Sequence, residues 1–141
     1  MGTILCATRG GEASYRTQDA AIALARERGD RLVFLYVVDT HFLDRTARAV
    51  RPDVVAGEMA RMGTFLLTLA QERAAQQGVK AEIRVRRGEM AEELKAAARE
   101  EGATLVILGQ PGDEESAFRR AELEALARQI EKETGAETRI I

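Results

Sequence analysis

Short runs of aliphatic and β-branched residues alternate along this chain with longer stretches of helical period. Thr3 to Thr8 (TILCAT) is brief and apolar and ends at Arg9-Gly10-Gly11, which predicts a strand followed by a turn. Ala20, Ala21 and Leu24 then fall on one helical face, and Gly29 behind Arg26, Glu27 and Arg28 reads as a helix C-cap. Leu32 to Val38 (LVFLYVV) is continuously hydrophobic, as expected of a parallel strand buried on both faces. The period lapses from Asp39 to about Asp53, and Pro52 suits a helix start. Met59, Met62, Leu66, Leu69 and Arg73 recur at helical spacing up to Gly78, with the two methionines read as core fillers. Ala81 to Arg86 (AEIRVR) alternates, which predicts a strand with one wet face near a sheet edge. Arg84, Arg86 and Arg87 make a basic stripe there, a charge pattern that discourages stray pairing or serves a partner surface. Met90, Leu94, Ala97 and Ala98 mark a third helix that stops at Gly102, and Thr104 to Leu108 (TLVIL) is another buried strand. After Gly109-Gln110-Pro111-Gly112, a last helix carries Leu123, Leu126, Ala127 and Ile130 to Gly135. Thr138 to Ile141 closes as a strand.

The sum is β-α-β-α-β-α-β-α-β. Such alternation predicts an α/β fold, a doubly wound parallel sheet with helices on both faces and right-handed crossovers. No linker or internal repeat interrupts it, so residues 1–141 read as a single domain. Ligands of such sheets bind outside the carboxyl ends of the strands, where strand order reverses. That directs attention to two loops, Arg9 to Ser14 and Gly109 to Arg120.

Composition narrows the chemistry. With 45% hydrophobic and 31% charged residues the chain is globular, and a net charge of -2 offers no generic attraction to nucleic acid or an anionic membrane. Aromatic residues are only 4%, too sparse for a nucleic-acid stacking platform. No apolar run approaches a bilayer span and no secretory signal opens the chain, so a cytoplasmic location is expected. One cysteine, Cys6, and one histidine, His41, give no material for a disulfide framework or a thiolate or multi-histidine metal site. Cys6 lies mid-strand and reads as a buried structural thiol, and His41 reads as a surface histidine in an irregular loop.

Several segments together resemble the universal stress protein family. They are the opening I-L-C-A-T-R-G-G-E-A-S, the strand end Val37-Val38-Asp39, and L-V-I-L-G-x-x-G at Leu105 to Gly112. The long segment after the second strand, Gly88 after the third and the terminal strand keep the same order, so the resemblance covers essentially the whole chain. It implies a five-stranded, Rossmann-like sheet of order 3-2-1-4-5. It also implies a homodimer paired through the last strand, here Thr138 to Ile141. Some members of the family bind ATP and others do not.

The ATP-binding members share G-x-x-G, nine residues, then G-[ST]. The first half is present as Gly109 and Gly112, glycines that let backbone N–H groups approach a phosphate. Where the second half should start the chain reads Glu122-Leu123. Asp113 to Ala125 holds no glycine and one hydroxyl, Ser116. Asp113, Glu114, Glu115, Glu122 and Glu124 are expected around the start of the last helix, where carboxylates neutralise the end of the dipole that would attract a phosphate. Arg119 and Arg120 lie among those acids and read as phosphate contacts or as a salt-bridged face. ATP-binding relatives carry an adenine-side Asp where this chain has Arg9, which turns an acceptor into a donor. Arg9 reads as the partner of Asp39 or Glu12, or as a clamp for a different anion. The loop Arg9-Gly10-Gly11-Glu12-Ala13-Ser14 also resembles the S-G-G-x-D-S pyrophosphate loop, lacking its first Ser and its Asp.

The ligand-binding candidates are therefore Ala7, Thr8, Arg9 and Gly10 after the first strand, Val38 and Asp39 after the second, and Gly109, Gly112, Arg119 and Arg120 around the fourth. No catalytic constellation and no metal site emerge, and ATP with magnesium is a cofactor only through an incomplete motif. The expected function is a dimeric regulatory or binding module that is not a conventional ATP binder. It acts through protein partners or an alternative small ligand. The alternative is a nucleotide-binding member with adenine beside Val38 and Asp39 and an altered phosphate cradle. An ATP-cleaving enzyme on the Arg9 to Ser14 loop stands behind both.

Overall fold

A computed structural model describes residues 2–9, 12–39, 51–110 and 116–141, with the backbone alone at 12–13, 52 and 116–119. Among the described residues five strands and four helices alternate: β1 (Thr3–Ala7), α1 (Glu12–Arg28), β2 (Arg31–Asp39), α2 (Pro52–Gln76), β3 (Ala81–Gly88), α3 (Met90–Glu101), β4 (Leu105–Leu108), α4 (Ser116–Thr134) and β5 (Glu137–Ile140). The strands form one sheet in the order β3-β2-β1-β4-β5, parallel at every pairing. Cys6 on β1 sits between Phe34 of β2 and Ile107 of β4, which fixes the register at the centre.

Two-residue periodicity sorts the strand side chains into two cores. On one face Ile4, Cys6, Leu32, Phe34 and Ile107 pack with Ala21, Ile22, Leu67 and Ala70 of α1 and α2. On the other, Leu5, Val33, Leu35 and Val106 pack with Leu94, Ala97, Ala98 and Ile130 of α3 and α4. The all-apolar reading of β2 is thus explained, because its side chains enter both cores. Left-handed Gly102 closes α3, its N–H returning to the Arg99 carbonyl at 3.2 Å.

The face of α2 is a correction to the sequence reading. Its buried side is Ala56, Gly63, Leu67, Ala70 and Ala74, whereas Met62 is 56% and Phe65 61% exposed and Met59 only half-buried. Small residues win this face because they bring the helix close to the sheet. A Cβ on Gly63 would run into the Tyr36 ring. Val54, Met62, Phe65 and Leu69 are left as an apolar stripe on the solvent side.

β3 is an edge strand, and its basic stripe is largely spent. Arg31 of β2 bonds Glu82 and, at 2.7 Å, Glu101; Arg84 bonds the same two carboxylates at 3.0 and 2.8 Å. Arg86 bonds Glu93 and Glu100 at 2.8 and 2.6 Å, while Arg87 is exposed. The Arg31 and then the Arg84 guanidinium hold the Glu82 carboxyl down at about 2. An unfolded glutamate titrates near about 4.3, so the contribution of Glu82 is complete above that pH and is lost as pH falls toward about 2. Solvent access to Glu82 keeps the effect modest. Denaturant midpoints should therefore fall between about pH 5 and pH 2, and Glu82→Gln should flatten that limb; an unchanged slope in the variant would show that the network does not stabilise the fold.

Candidate functional site

Strand order reverses between β1 and β4, so the carboxyl ends of these two strands flank the crevice that this architecture offers to ligands. Ala7 ends β1 half-buried, Thr8 is buried beyond it, and Arg9 points to solvent. The Thr8 N–H donates to the Leu35 carbonyl at 2.9 Å, tying this end to β2. Val38 is fully buried and Asp39 is half-buried at the end of β2, opposite Gly88 of β3. Gly109 follows β4. With β1 between them, the ends of β2 and β4 lie about 10 Å apart at ordinary strand spacing.

The β4 side is organised by β5 and α1. The Ile141 N–H donates to the Leu108 carbonyl at 2.8 Å, and the Ile141 carbonyl accepts from the Gln110 N–H at 3.0 Å and the Thr17 hydroxyl at 3.2 Å. A Cβ on Gly109 would stand 3.2 Å from Thr17 Oγ1, so glycine here permits a close approach of α1. From α4, Arg120 donates through a terminal guanidinium nitrogen to Gln110 Oε1 at 2.9 Å. This leaves a cation beside the loop that follows β4.

Of the sequence candidates, the described residues thus place Ala7, Thr8, Arg9, Val38, Asp39, Gly109 and Arg120 at the carboxyl end of the sheet. Gly10 and Gly112 lie outside the described residues, as do His41 and the carboxylates Asp113 to Glu115, and for Arg119 only the helical backbone is described. The acidic cluster needs correction. α4 starts at Ser116 with no acidic residue in its first turn, and Glu122 and Glu124 are exposed in later turns. The dipole acts over about one turn, so these two glutamates do not neutralise it.

Two residues escaped the sequence reading, Thr17 and Gln18, which are 2% and 1% exposed. Gln18 Nε2 donates to Thr8 Oγ1 at 3.1 Å. The signal was present: Gln18 stands at helical spacing with Ala21, Ile22 and Ala25, a polar residue on the inward stripe. Cys6 is fully enclosed, and burial pushes its thiol up to about 12, so it is protonated and inert at neutral pH. Among the described residues no group of three or more His, Cys, Asp or Glu could hold a metal, and no helix is long and apolar enough to cross a membrane. A separate groove between α1 and α2, lined by Ile22, Arg26, Arg73 and Gln76, lies toward the helix C-termini and away from the strand ends that carry the candidates.

A model of the universal stress protein family matches residues 1–134. The chain belongs to the universal stress protein family. It is similar to the universal stress protein YxiE of Bacillus subtilis (strain 168), 30% identical over 125 residues that cover 77% of this chain and 78% of that protein. A solved family structure from Burkholderia pseudomallei is 27% identical with a TM-score of 0.73, covering 99% of this chain and 95% of its own. A universal stress protein solved in complex with cAMP shares the fold at 20% identity and a TM-score of 0.72, with 99% and 96% covered. The family fold includes the β3-β2-β1-β4-β5 order read from the resemblance.

Proposed function

We propose that this universal stress protein is a cytoplasmic regulatory module that takes a small ligand bearing no more than one phosphate at the carboxyl end of its sheet. It is not a conventional ATP binder. The observation that carries this reading is the half-built phosphate end. Gly109 and the Arg120–Gln110 contact are present, whereas Asp113 to Ala125 supplies no glycine and a single hydroxyl. Asp113, Glu114 and Glu115 stand in the sequence directly before the helix start at Ser116, which disfavours a highly charged triphosphate at that end. A triphosphate needs more donors than the described residues of this end provide. A relative that carries cAMP, with its single phosphate, supports the same reading. The base or other uncharged end of the ligand would rest by Val38 and Asp39. We assign no catalytic step, because the Arg9 to Ser14 loop lacks the first Ser and the Asp of the pyrophosphate loop it resembles.

Thermal melts with AMP, cAMP and ATP plus magnesium test it. At a concentration a hundredfold above Kd a ligand stabilises by about 2.7 kcal/mol. AMP or cAMP should raise Tm, ATP should raise it less, and Arg119→Ala with Arg120→Ala should erase the response. ATP as the strongest stabiliser would favour the altered-cradle alternative, and no response to any of the three would leave protein contacts as the function.

Members of this family often form homodimers. For this chain we place the contact at β5, whose outer edge ends the sheet. The N–H groups of Glu137 and Ile141 point to β4, so alternation turns those of Thr138 and Ile140 outward, free to pair with a second copy. Thr138→Pro removes one outward donor and none that faces β4. Sedimentation should show a dimer for the native chain and a folded monomer for the variant; a variant that stays dimeric would move the interface elsewhere.

A further inference from the structure

Three segments that are far apart in the sequence meet at one carbonyl. The Ile141 carbonyl accepts from the Thr17 hydroxyl of α1 at 3.2 Å and from the Gln110 N–H of the loop after β4 at 3.0 Å. The Ile141 N–H donates to the Leu108 carbonyl at 2.8 Å, so the same residue also ties β5 to β4. Thr17 is 2% exposed, and Gly109 is the glycine that lets it come this near. Gln110 carries the connection further, because its Oε1 accepts from Arg120 of α4 at 2.9 Å. Ile141 thus holds the loop that Arg120 contacts, on the phosphate side of the proposed site.

The strand that leads into Ile141 is held on one side only. β5 has four residues, Glu137 exposed and the other three half-buried, and among the described residues it pairs with β4 alone. An edge strand this short opens locally at lower cost than the buried strands beside it. Each opening takes the acceptor away from the Gln110 N–H and the Thr17 hydroxyl and releases the loop. A second copy paired along the outer edge bonds the outward groups of Thr138 and Ile140 and suppresses the opening. A ligand that needs the loop in place binds with an affinity reduced to the fraction of molecules in which it is held. Whatever raises that fraction tightens the ligand, and the ligand strengthens it in return.

We propose that self-association regulates the strand-end site: pairing of a second copy along β5 and binding of a one-phosphate nucleotide at the end of β4 strengthen each other through the Ile141 carbonyl. This rests on the readings that the site takes such a ligand and that β5 carries the dimer contact. Thr17 is then a positioning residue. It acts through Ile141 rather than on the ligand, joining α1 to the end of β5 so that both hold the loop.

AMP is the probe. The monomeric Thr138→Pro variant should bind it at least about fivefold more weakly than the native dimer, although position 138 lies opposite Val106, back from the strand ends. Two sites share one interface, so saturating AMP should lower the dimer dissociation constant of the native chain by the square of that factor, about twenty-fivefold, in sedimentation over a dilution series. Thr17→Val removes the hydroxyl and no outward donor of β5, and should shrink the effect; Thr17→Ser, which keeps the hydroxyl, should restore it. A dimer constant that AMP leaves unchanged or raises would overturn the proposal while the site and interface readings survive. An effect of full size in Thr17→Val would overturn the route through Ile141 and the proposal with it. A native dimer that binds no AMP would overturn the site reading, and a native chain that stays monomeric the interface reading, each taking this inference with it. If the variants fail to fold, AMP titrations of the native chain below and above its dimer constant decide: tighter binding above supports the proposal, and equal binding overturns it.

Discussion

The central strand β1 is paired on both edges and buried on both faces, and the rest of the molecule is arranged around that constraint. Ile4 and Cys6 enter one core and Leu5 the other, with none of the three accessible to solvent. A strand held in this way offers a ligand only its end. Where β1 stops, at Ala7, the chain must turn outward between β2 and β4, and each candidate residue described is placed relative to that exit. The same burial removes Cys6 from chemistry, since no charge can form on a thiol enclosed by Phe34 and Ile107.

The ion-pair networks and the proposed site occupy different places in this fold. The Arg31, Glu82, Arg84 and Glu101 network and the Arg86 pairs cluster on β3 and the helix beside it, at the edge farthest from β4. Their geometry satisfies the charges completely, as expected of a part that only has to hold. At the β1–β4 end the bonding is less complete, with an unpartnered amide oxygen on Gln18 and a single guanidinium contact from Arg120 to Gln110.

The strands were legible because a parallel sheet buried on both faces demands continuous apolar runs, and Leu32 to Val38 and Leu105 to Leu108 show them plainly. Helix positions were legible too, but not always the inward face. In α2 the large residues Met62 and Phe65 suggested a core that close packing of Gly63 and Ala70 onto the sheet took instead. At α4 the helix begins at Ser116, directly after Asp113 to Glu115 in the sequence, and only Glu122 and Glu124 fall in later turns than the acidic run suggested. Gln18 was overlooked for a related reason. Period alone marks which positions face inward, and only the folded neighbours show that its amide meets Thr8 and leaves an oxygen unpaired.

The claim on which the account turns is that half a phosphate cradle selects a ligand with one phosphate. Native mass spectrometry of the purified protein, with AMP and with ATP and magnesium at equal concentration, tests it most directly. The account predicts a dimer that retains AMP, up to one per protomer, and retains ATP far less. A dimer that holds ATP with magnesium and releases AMP would contradict it.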